Sequence, residues 1–314
     1  MLGRTANGLF WMFRYLERAE HTARLIDAGL RMALTRDLVT AEEEWRSVIA
    51  TAGQREGYED KHQTYTGIQA WNHMLRDRDN PEPVLAMLQQ VRTNARAVRN
   101  AISGELWEVV NDAWHQVSRM LERPLGQNEV GEAVGIVRRL AVLAHGAMIG
   151  SMLRDESYHF ARAGSFTERA DAVARILDIK YYLLLPSLSY VGSSLDTGQW
   201  DTVLRSVSGD RAFRAIHAGQ IDARGIVEFL VLDERFPRSL AFCHAALRME
   251  LSALARLHGC EGQSHALMRE ADTHLAGRTI DDIFEQGLHQ FLLAFMARNN
   301  AIAQAIAADY RFLS

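Results

Sequence analysis

The stretch YLERAEHTARLID, residues 15–27, returns as FTERADAVARILD at residues 166–178, 151 positions later in the chain. Glu-Arg-Ala, Ala-Arg and the final Asp are identical, and an acidic residue follows Glu-Arg-Ala in both copies. A match of this density is improbable by chance. We therefore interpret the two stretches as copies of one helical element.

The charged residues of both copies fall at spacings of three, four and seven, which place side chains on one face of a helix. We call these two sets the first ladder, Glu17, Glu20, Arg24, Asp27 and Arg31, and the second ladder, Glu168, Asp171, Arg175 and Asp178. An apolar face lies beside each ladder. Each helix can therefore pack on one side and present its ladder on another.

Two interpretations of the ladders are open. In the first, they are solvated faces whose i,i+4 ion pairs each stabilise the helix by only about 0.2–0.5 kcal/mol. In the second, both ladders line one enclosed cleft. The second copy carries Ala172, Ile176 and Ile179 around the rest of its circumference, which indicates burial, and a buried carboxylate needs an arginine or a bound cation beside it. The same charges at the same phase in two helices favour the cleft.

Composition limits the class of protein. With 314 residues and 48% hydrophobic residues, the chain is long enough to bury a sizeable core, and its net charge of −4 argues against a nucleic-acid partner. The first twenty residues have no uninterrupted apolar core, and no later window stays uncharged for about 18 residues, so we expect neither a signal peptide nor a membrane span. The only cysteines, Cys243 and Cys260, lack metal-like spacing, which favours a reducing cytoplasm.

Helical periodicity dominates the chain, and no segment shows the sustained two-residue alternation of a half-buried strand. We predict an all-α, multi-helix bundle that forms a single domain over residues 1–314, with two pseudo-symmetric halves at 1–150 and 151–314. About ten helices are expected, at residues 5–34, 42–52, 68–75, 83–121 with a break near 103, 129–153, 157–185, 222–232, 237–257, 264–275 and 279–310. Residues 53–67 read as a loop, and the Gly- and Ser-rich residues 187–210 as a mobile or irregular segment.

Other patterns give weaker signals. Glu156 and His159 have the Glu-x-x-His spacing of carboxylate-bridged metal sites in helical bundles, but the only other match, Glu59 with His62, lies in the predicted loop. A helix that starts at Pro237 would hold Arg238 in its first turn, where free amides can receive an anion, although a plain helix cap explains the same residues. No phosphate-binding loop or dinucleotide motif occurs, so no cofactor is expected.

Four segments together resemble the bacterial alpha-E domain family over nearly the whole chain: GRTANGLFWMFRYLERAEHTARL, NARAVRNAISGELWEVVN, TERADAVARILDIKYY and FLVLDERFPRSL. The resemblance places the family's Glu-Arg motif at Glu17-Arg18, with Arg14 upstream, and again at Glu168-Arg169; its arginine-rich middle motif falls on Arg96 and Arg99. Asn7, Gly8 and Phe13 depart from the family pattern. The resemblance implies a circularly permuted ATP-grasp ligase as partner, often with a transglutaminase-like protein, and hence a role in forming or modifying amide bonds.

The leading hypothesis is an accessory protein that binds an anionic, peptide-like or amino-acid-like ligand in a charged cleft between helices. Glu17 and Glu168 are the candidate catalytic bases, should the chain be an enzyme. The candidate binding residues are Arg14, Arg18, Glu20, Arg24, Asp27, Arg96, Arg99, Arg169, Asp171, Arg175, Asp178 and Arg238. Two alternatives stay open: a non-catalytic scaffold that docks the ligase, and a metal-dependent oxidase with Glu156 and His159 as ligands. Self-association also stays open.

Overall fold

The computed structural model of the chain describes residues 1–33, 38–183, 194–217 and 222–312. Within these ranges the regular structure is entirely helical, with fifteen α-helices, one short 3-10 helix at Arg99–Ala101 and no strand. The prediction of an all-α fold is confirmed. The α-helices are α1 Gly3–Ala33, α2 Leu38–Thr51, α3 Arg55–Glu59, α4 Gly67–Arg76, α5 Val84–Ala97, α6 Gly104–Met120, α7 Gln127–Ser151, α8 Glu156–Leu183, α9 Ser194–Ser206, α10 Asp210–Ile216, α11 Ala223–Leu232, α12 Leu240–His258, α13 Gln263–Leu275, α14 Ile280–Gln286 and α15 Leu288–Asp309.

The expected number of about ten helices is wrong, in part because short helices form where the sequence reads as a polar loop. α3 lies inside residues 53–67, where Tyr58 is fully buried and anchors the short helix. α9 and α10 also lie outside the predicted helices. Of the stretch predicted to be irregular, residues 187–193 lie outside the described residues, and most of the remainder is α9.

The other difference in helix number comes from two interruptions, each with a local cause. Ser103 caps α6 by accepting a hydrogen bond from the Leu106 amide at 3.2 Å, so the predicted break near residue 103 is confirmed. α14 ends at Gly287, whose φ of 93° is open to glycine but strained for other residues. The helix predicted at 279–310 is therefore two helices.

The helices form two compact units. The N-terminal unit is Tyr15–Met152, and the C-terminal unit is Leu153–Ser314 together with Met1–Arg14. The first turns of α1 thus belong to the C-terminal unit and its remaining turns to the N-terminal unit. Because α8 begins just after the boundary near residue 152, each unit contains one copy of the repeated ladder.

The order of helices is the same in both units. α1 to α7 have 31, 14, 5, 10, 14, 17 and 25 residues, and α8 to α13 followed by α15 have 28, 13, 7, 10, 19, 13 and 22. Packing follows the same order, since α4 contacts α5, α5 contacts α6 and α6 contacts α7, while α11 contacts α12, α12 contacts α13 and α13 contacts α15. The two units therefore share one order of helices, with α14 as an insertion, and the pseudo-symmetry of the halves stays a prediction.

The apolar face beside each ladder is buried. Its fully buried residues include Leu16, Ala19, Ala23 and Ile26 in α1 and Ala163, Ala170, Ala174 and Leu177 in α8. Burying one large apolar side chain contributes about 1.5–3 kcal/mol, so these faces fix the rotation of each helix and thereby the direction of its ladder.

α7 and α15 occupy corresponding places in the two units and are the long apolar helices of the chain. Length and composition alone would let either helix cross a membrane, a test that core helices of water-soluble proteins also pass. Val137 and Met148 of α7 and Leu292 and Ile306 of α15 are buried. We therefore interpret both as core helices, as expected for α15 from its broad apolar face.

Candidate functional site

The first ladder faces α7 in the N-terminal unit. Glu17 Oε1 lies 2.8 Å from His145 Nε2, and Arg138 Nη1 donates to Asp27 Oδ2 at 2.8 Å. Arg138 and His145 are seven residues apart and therefore lie on one face of α7. Two basic side chains of α7 thus match two carboxylates of α1.

The first ladder runs from a buried end to a solvated end. The exposed fractions of Glu17 and Glu20 are only 3% and 2%, and Arg24 Nε donates to Glu20 Oε1 at 2.9 Å. Arg31, whose side chain is 62% exposed, lies 3.3 Å from Asp27. The solvated-face interpretation therefore fits only the last turn, because buried carboxylates are stable only when paired.

A cavity of ≈ 420 Å³ opens beside the ladder in the N-terminal unit. We call it the arginine cavity; it is lined by Arg24, Gly135, Arg138, Arg139, Val142 and Leu143. Arginine stays protonated at every physiological pH, so the cavity has three cationic groups. Two of them are paired with ladder carboxylates, Arg24 with Glu20 and Arg138 with Asp27. The exposed Val142 and Leu143 add an apolar wall.

Two of the three arginines have hydrogen-bonding capacity to spare. Arg138 Nε is buried and has no hydrogen-bond partner among the described residues, although Nη1 of the same side chain is paired with Asp27. Arg139 is exposed and forms no ion pair within the described part of the chain. A guanidinium fork with free donors can hold a carboxylate or phosphate through two parallel hydrogen bonds.

The second ladder is paired in the same way within the C-terminal unit. Arg14 Nε donates to Glu168 Oε2 at 2.8 Å, and Arg175 Nε donates to Asp171 Oδ2 at 2.7 Å. Asp178 Oδ1 lies 2.5 Å from His289 Nδ1 of α15. The two ladders lie in different units, and the prediction that they share one cleft stays a prediction.

The pairing between helices repeats with the same spacing. Asp27 and Arg138 are 111 residues apart, and Asp178 and His289 are also 111 residues apart. The offset of 151 residues that relates the ladders therefore also relates their partners on α7 and α15. This spacing supports the interpretation that the repeat extends beyond the ladder helices to whole units.

The other predicted binding residues lie outside the arginine cavity. Arg96 and Arg99 are exposed near the end of α5, with Arg99 5.7 Å from the Trp107 ring. Neither has a hydrogen bond or ion pair to a ladder residue within the described ranges. Arg18 forms an ion pair with Glu82. The structure thus does not bring the arginine-rich middle motif to the first ladder.

Pro237 does not start a helix, contrary to the prediction. α12 begins at Leu240, with Ser239 as its N-cap, and the Ser239 hydroxyl accepts a hydrogen bond from the Phe242 amide at 3.0 Å. Arg238 therefore precedes the cap instead of lying in the first turn. The plain cap explains this segment, because Ser239 satisfies an amide that an anion would need.

The alternative metal ligands Glu156 and His159 point to different partners. His159 Nδ1 lies 2.7 Å from Glu250 Oε2, whereas Glu156 Oε1 lies 3.3 Å from His258 Nε2. Glu59 is the last residue of α3 and not part of a loop, and it accepts a hydrogen bond from the Tyr65 hydroxyl at 2.8 Å. Neither Glu-x-x-His pair therefore supports a carboxylate-bridged metal site.

Sequence reasoning missed the ladder partners Arg138, His145 and His289, and it missed Arg139 of the arginine cavity. Two signals could have found them. Arg138 and His145 interrupt an otherwise apolar helix at a spacing of seven, which places both on one face. His289 lies 151 residues after Arg138, the same offset as the ladders.

A model of the Alpha-E family, described as a predicted alpha-helical domain with a conserved ER motif, matches residues 1–311. The chain belongs to the Alpha-E family. Uncharacterised proteins of Mycobacterium bovis and of Mycobacterium tuberculosis strain H37Rv are 23% and 22% identical to it over 97% of its length. The chain spans 36% of the length of these relatives. No solved structure matches the chain significantly.

In this Alpha-E chain, the two Glu-Arg motifs within the repeat have one arrangement. The carboxylates Glu17 and Glu168 are each 3% exposed and ion-paired, while the adjacent arginines are half-buried. Arg18 lies 6.0 Å from the Tyr15 ring and Arg169 lies 5.5 Å from the Phe166 ring, three residues earlier in both cases. The motif therefore provides one buried carboxylate and one half-buried guanidinium near an aromatic ring.

Proposed function

We propose that this Alpha-E chain is an accessory protein of an ATP-grasp amide-ligase system, in which it binds an anionic, peptide-like substrate or intermediate at the arginine cavity. The observation that carries the proposal is the convergence of Arg24, Arg138 and Arg139 on one cavity beside exposed apolar side chains. Carboxylates of a peptide would meet the guanidinium groups, and its apolar side chains would meet Val142 and Leu143.

The ladder carboxylates orient the cavity in this proposal. Glu20 holds Arg24 from within α1, and Asp27 holds Arg138 across the two helices. Because these arginines are fixed before a ligand arrives, little side-chain entropy is lost on binding. Arg139 is the adaptable third cation, since it is exposed and makes no ion pair in the described ranges.

The ligase partnership rests on the family context. Alpha-E domains are associated with circularly permuted ATP-grasp ligases, which make an amide bond from a carboxylate and an amine. The mycobacterial relatives extend well beyond the matched region, since it covers only 36% of their length. That length supports a further domain in the relatives, as a fused enzyme requires.

Binding can be tested by calorimetry with the dicarboxylate acetyl-Leu-Glu, using its diamide as the neutral control. Arg139→Gln should weaken binding at least about tenfold, equivalent to about 1.4 kcal/mol, with unchanged helical circular dichroism. Arg256→Gln removes another exposed arginine, which lies in the C-terminal unit, and should leave the affinity unchanged. Equal affinity of the Arg139→Gln variant, or equal binding of the diamide, would contradict the proposal.

The partnership requires a separate measurement. A purified circularly permuted ATP-grasp ligase should form amide product faster with the wild-type chain than with the Arg139→Gln variant. Glu17→Gln and Glu168→Gln test a catalytic role, which predicts loss of product with retained peptide binding. No effect of the wild-type chain on the ligase would remove the partnership but not the binding site.

A non-catalytic scaffold is the second candidate. It is favoured by the pairing of Glu17, Glu168, Asp27 and Asp178 with basic residues inside their own units. A scaffold would co-purify with the ligase, bind no acetyl-Leu-Glu and be unaffected by Arg139→Gln. This combination of results would select the scaffold over the ligand-binding protein.

A further inference from the structure

A cluster of potential metal ligands lies in the N-terminal unit, apart from the first ladder. It consists of His62, in the turn after α3, and of His73 and Asp77 at the end of α4. One donor atom from each side chain lies within 4.8 Å of the other two. Two imidazoles and one carboxylate are a donor set used for Zn²⁺ and for other divalent first-row transition metals.

The distances approach those of a metal site. His73 Nδ1 and Asp77 Oδ2 are 3.2 Å apart. Ligand bonds of about 2.0–2.1 Å in a tetrahedron place two donor atoms about 3.3 Å apart, so this pair already fits. A donor atom of His62, a half-buried residue in a turn, lies within 4.8 Å of both, so its side chain would have to move closer to complete the site.

The surroundings hold the donors in place. The Tyr58 hydroxyl donates to the Thr64 carbonyl at 2.9 Å, which closes the turn that carries His62. The Tyr58 ring lies 4.7 Å from the His62 ring and 5.3 Å from the His73 ring. The Asp79 amide donates to Asp77 Oδ1 at 3.1 Å and fixes the carboxylate. Such supporting contacts are what orient metal ligands.

The His73 ring has one nitrogen atom without a partner. Its Nδ1 atom faces Asp77, while its Nε2 atom is buried without a hydrogen-bond partner in the described residues.

In this structure the Lys61 ammonium group is the cation beside the Asp77 carboxylate. Its ammonium group lies 2.8 Å and 2.9 Å from the two carboxylate oxygens of Asp77 and also contacts Asp79. The Lys61 side chain is 31% exposed, so it can withdraw into solvent. The Asp77 carboxylate therefore already binds a cation, and a divalent ion would compete with this ammonium.

We propose that His62, His73 and Asp77 bind a divalent transition-metal ion, with Zn²⁺ as the reference ion, and that binding displaces the Lys61 ammonium from Asp77. The site is independent of the arginine cavity and of the ligase. Mg²⁺ should not bind, because it prefers oxygen ligands and octahedral geometry.

The test is a competition titration of the full, chelator-treated chain with ZnCl₂ against a chromophoric chelator. His62→Ala should weaken Zn²⁺ binding at least about tenfold. Lys61→Met should strengthen it by about threefold, because the competing cation is gone. His115→Ala, which removes an exposed histidine of α6, is the matched control and should leave the affinity unchanged.

Replacing Zn²⁺ by Co²⁺ gives a second readout that does not depend on folding stability. The wild-type chain should develop the visible absorption of low-coordinate Co²⁺, and the His62→Ala variant should not. Equal Zn²⁺ affinity of the His62→Ala variant and the wild type would overturn the proposal, as would Zn²⁺ binding unaffected by Lys61→Met. Folding of every variant is checked by circular dichroism.

Discussion

The two ladders have the same i,i+4 ion pair in different environments. In the first ladder the Glu20 and Arg24 side chains are 2% and 9% exposed, whereas the equivalent Asp171 and Arg175 are 17% and 55% exposed. The repeated sequence therefore sets which charges pair, and the surrounding helices set how deeply the pair is buried. The same ion pair therefore contributes differently to the free energy of unfolding in the two units, because solvent screens an exposed pair.

The partners of the ladders show a second difference. Asp27 is paired with an arginine of α7, and Asp178 with a histidine at the same offset on α15. The buried carboxylates show the opposite order of partners. In the first ladder Glu17 faces a histidine, His145, and in the second Glu168 faces an arginine, Arg14. Charge complementarity is kept in both units while the identity of the cation is not.

The arginine cavity is specific to the N-terminal unit at these positions. Arg138 and Arg139 correspond, at an offset of 151, to His289 and Gln290 in α15. The C-terminal unit therefore lacks the pair of adjacent guanidinium groups that distinguishes the cavity. The two halves therefore differ at these positions.

The largest stability effect is expected in the second ladder. Arg14→Met removes the guanidinium beside Glu168, whose side chain is 4% exposed, while keeping apolar contact with Trp11. Removing one partner of a buried ion pair costs about 3–5 kcal/mol. Urea unfolding should give a loss of that size in the free energy of unfolding.

A double-mutant cycle separates the ion pair from packing. If the cost comes from the buried charge, adding Glu168→Gln to Arg14→Met should recover a large part of the lost stability. A loss below about 1 kcal/mol for Arg14→Met would mean that the pair behaves like a surface pair. The distinction between buried and solvated parts of the ladders would then not hold.

A direct comparison of the ladders comes from Arg24→Met and Arg175→Met, two changes at equivalent positions. Arg24→Met leaves Glu20 buried without its guanidinium and should cost about 3 kcal/mol. Arg175→Met disrupts an exposed pair and should cost at most about 0.5 kcal/mol. Equal losses in urea unfolding would show that burial does not distinguish the two pairs.

The sequence predicted the elements whose signal is local. The apolar faces of α1 and α8 and the ladders beside them follow from residue spacing alone, as does the break before α6. Gly287 also carried a local signal, but the broad apolar pattern on both sides of it masked the interruption. Short helices such as α3 were missed because one buried side chain, Tyr58, stabilises a stretch that is otherwise polar.

The sequence predicted the residues that α1 contributes to the candidate site, but not those of α7. Glu20, Arg24 and Asp27 follow from the helical spacing of α1, but Arg138 lies 111 residues from Asp27. Such a pairing depends on which helices are neighbours, and local periodicity does not contain that information. The metal-ligand cluster was missed for the same reason, since His62 meets His73 through the turn between α3 and α4 instead of through helical spacing.

Low pH should destabilise the C-terminal unit through a buried histidine. α12 of the C-terminal unit buries His244 against Phe295, with ring centroids 4.4 Å apart, whereas the corresponding α5 contains no histidine. Burial, with a smaller effect of the Arg298 guanidinium, lowers the pKa of His244 from 6.5 to about 4. Between these values the unfolded chain binds a proton that the folded chain does not, so stability falls as the pH falls below 6.5.

At 1.36 kcal/mol per pH unit, His244 should cost about 2 kcal/mol of stability between pH 7 and pH 5. His244→Phe keeps the ring stacking and removes the titrating group. Between pH 7 and pH 5, the free energy of unfolding of this variant should therefore fall by about 2 kcal/mol less than that of the wild type. His115→Gln changes an exposed histidine and should decline like the wild type. Parallel declines of wild type and His244→Phe in urea unfolding would mean that His244 takes up its proton inside the folded C-terminal unit, contrary to the prediction.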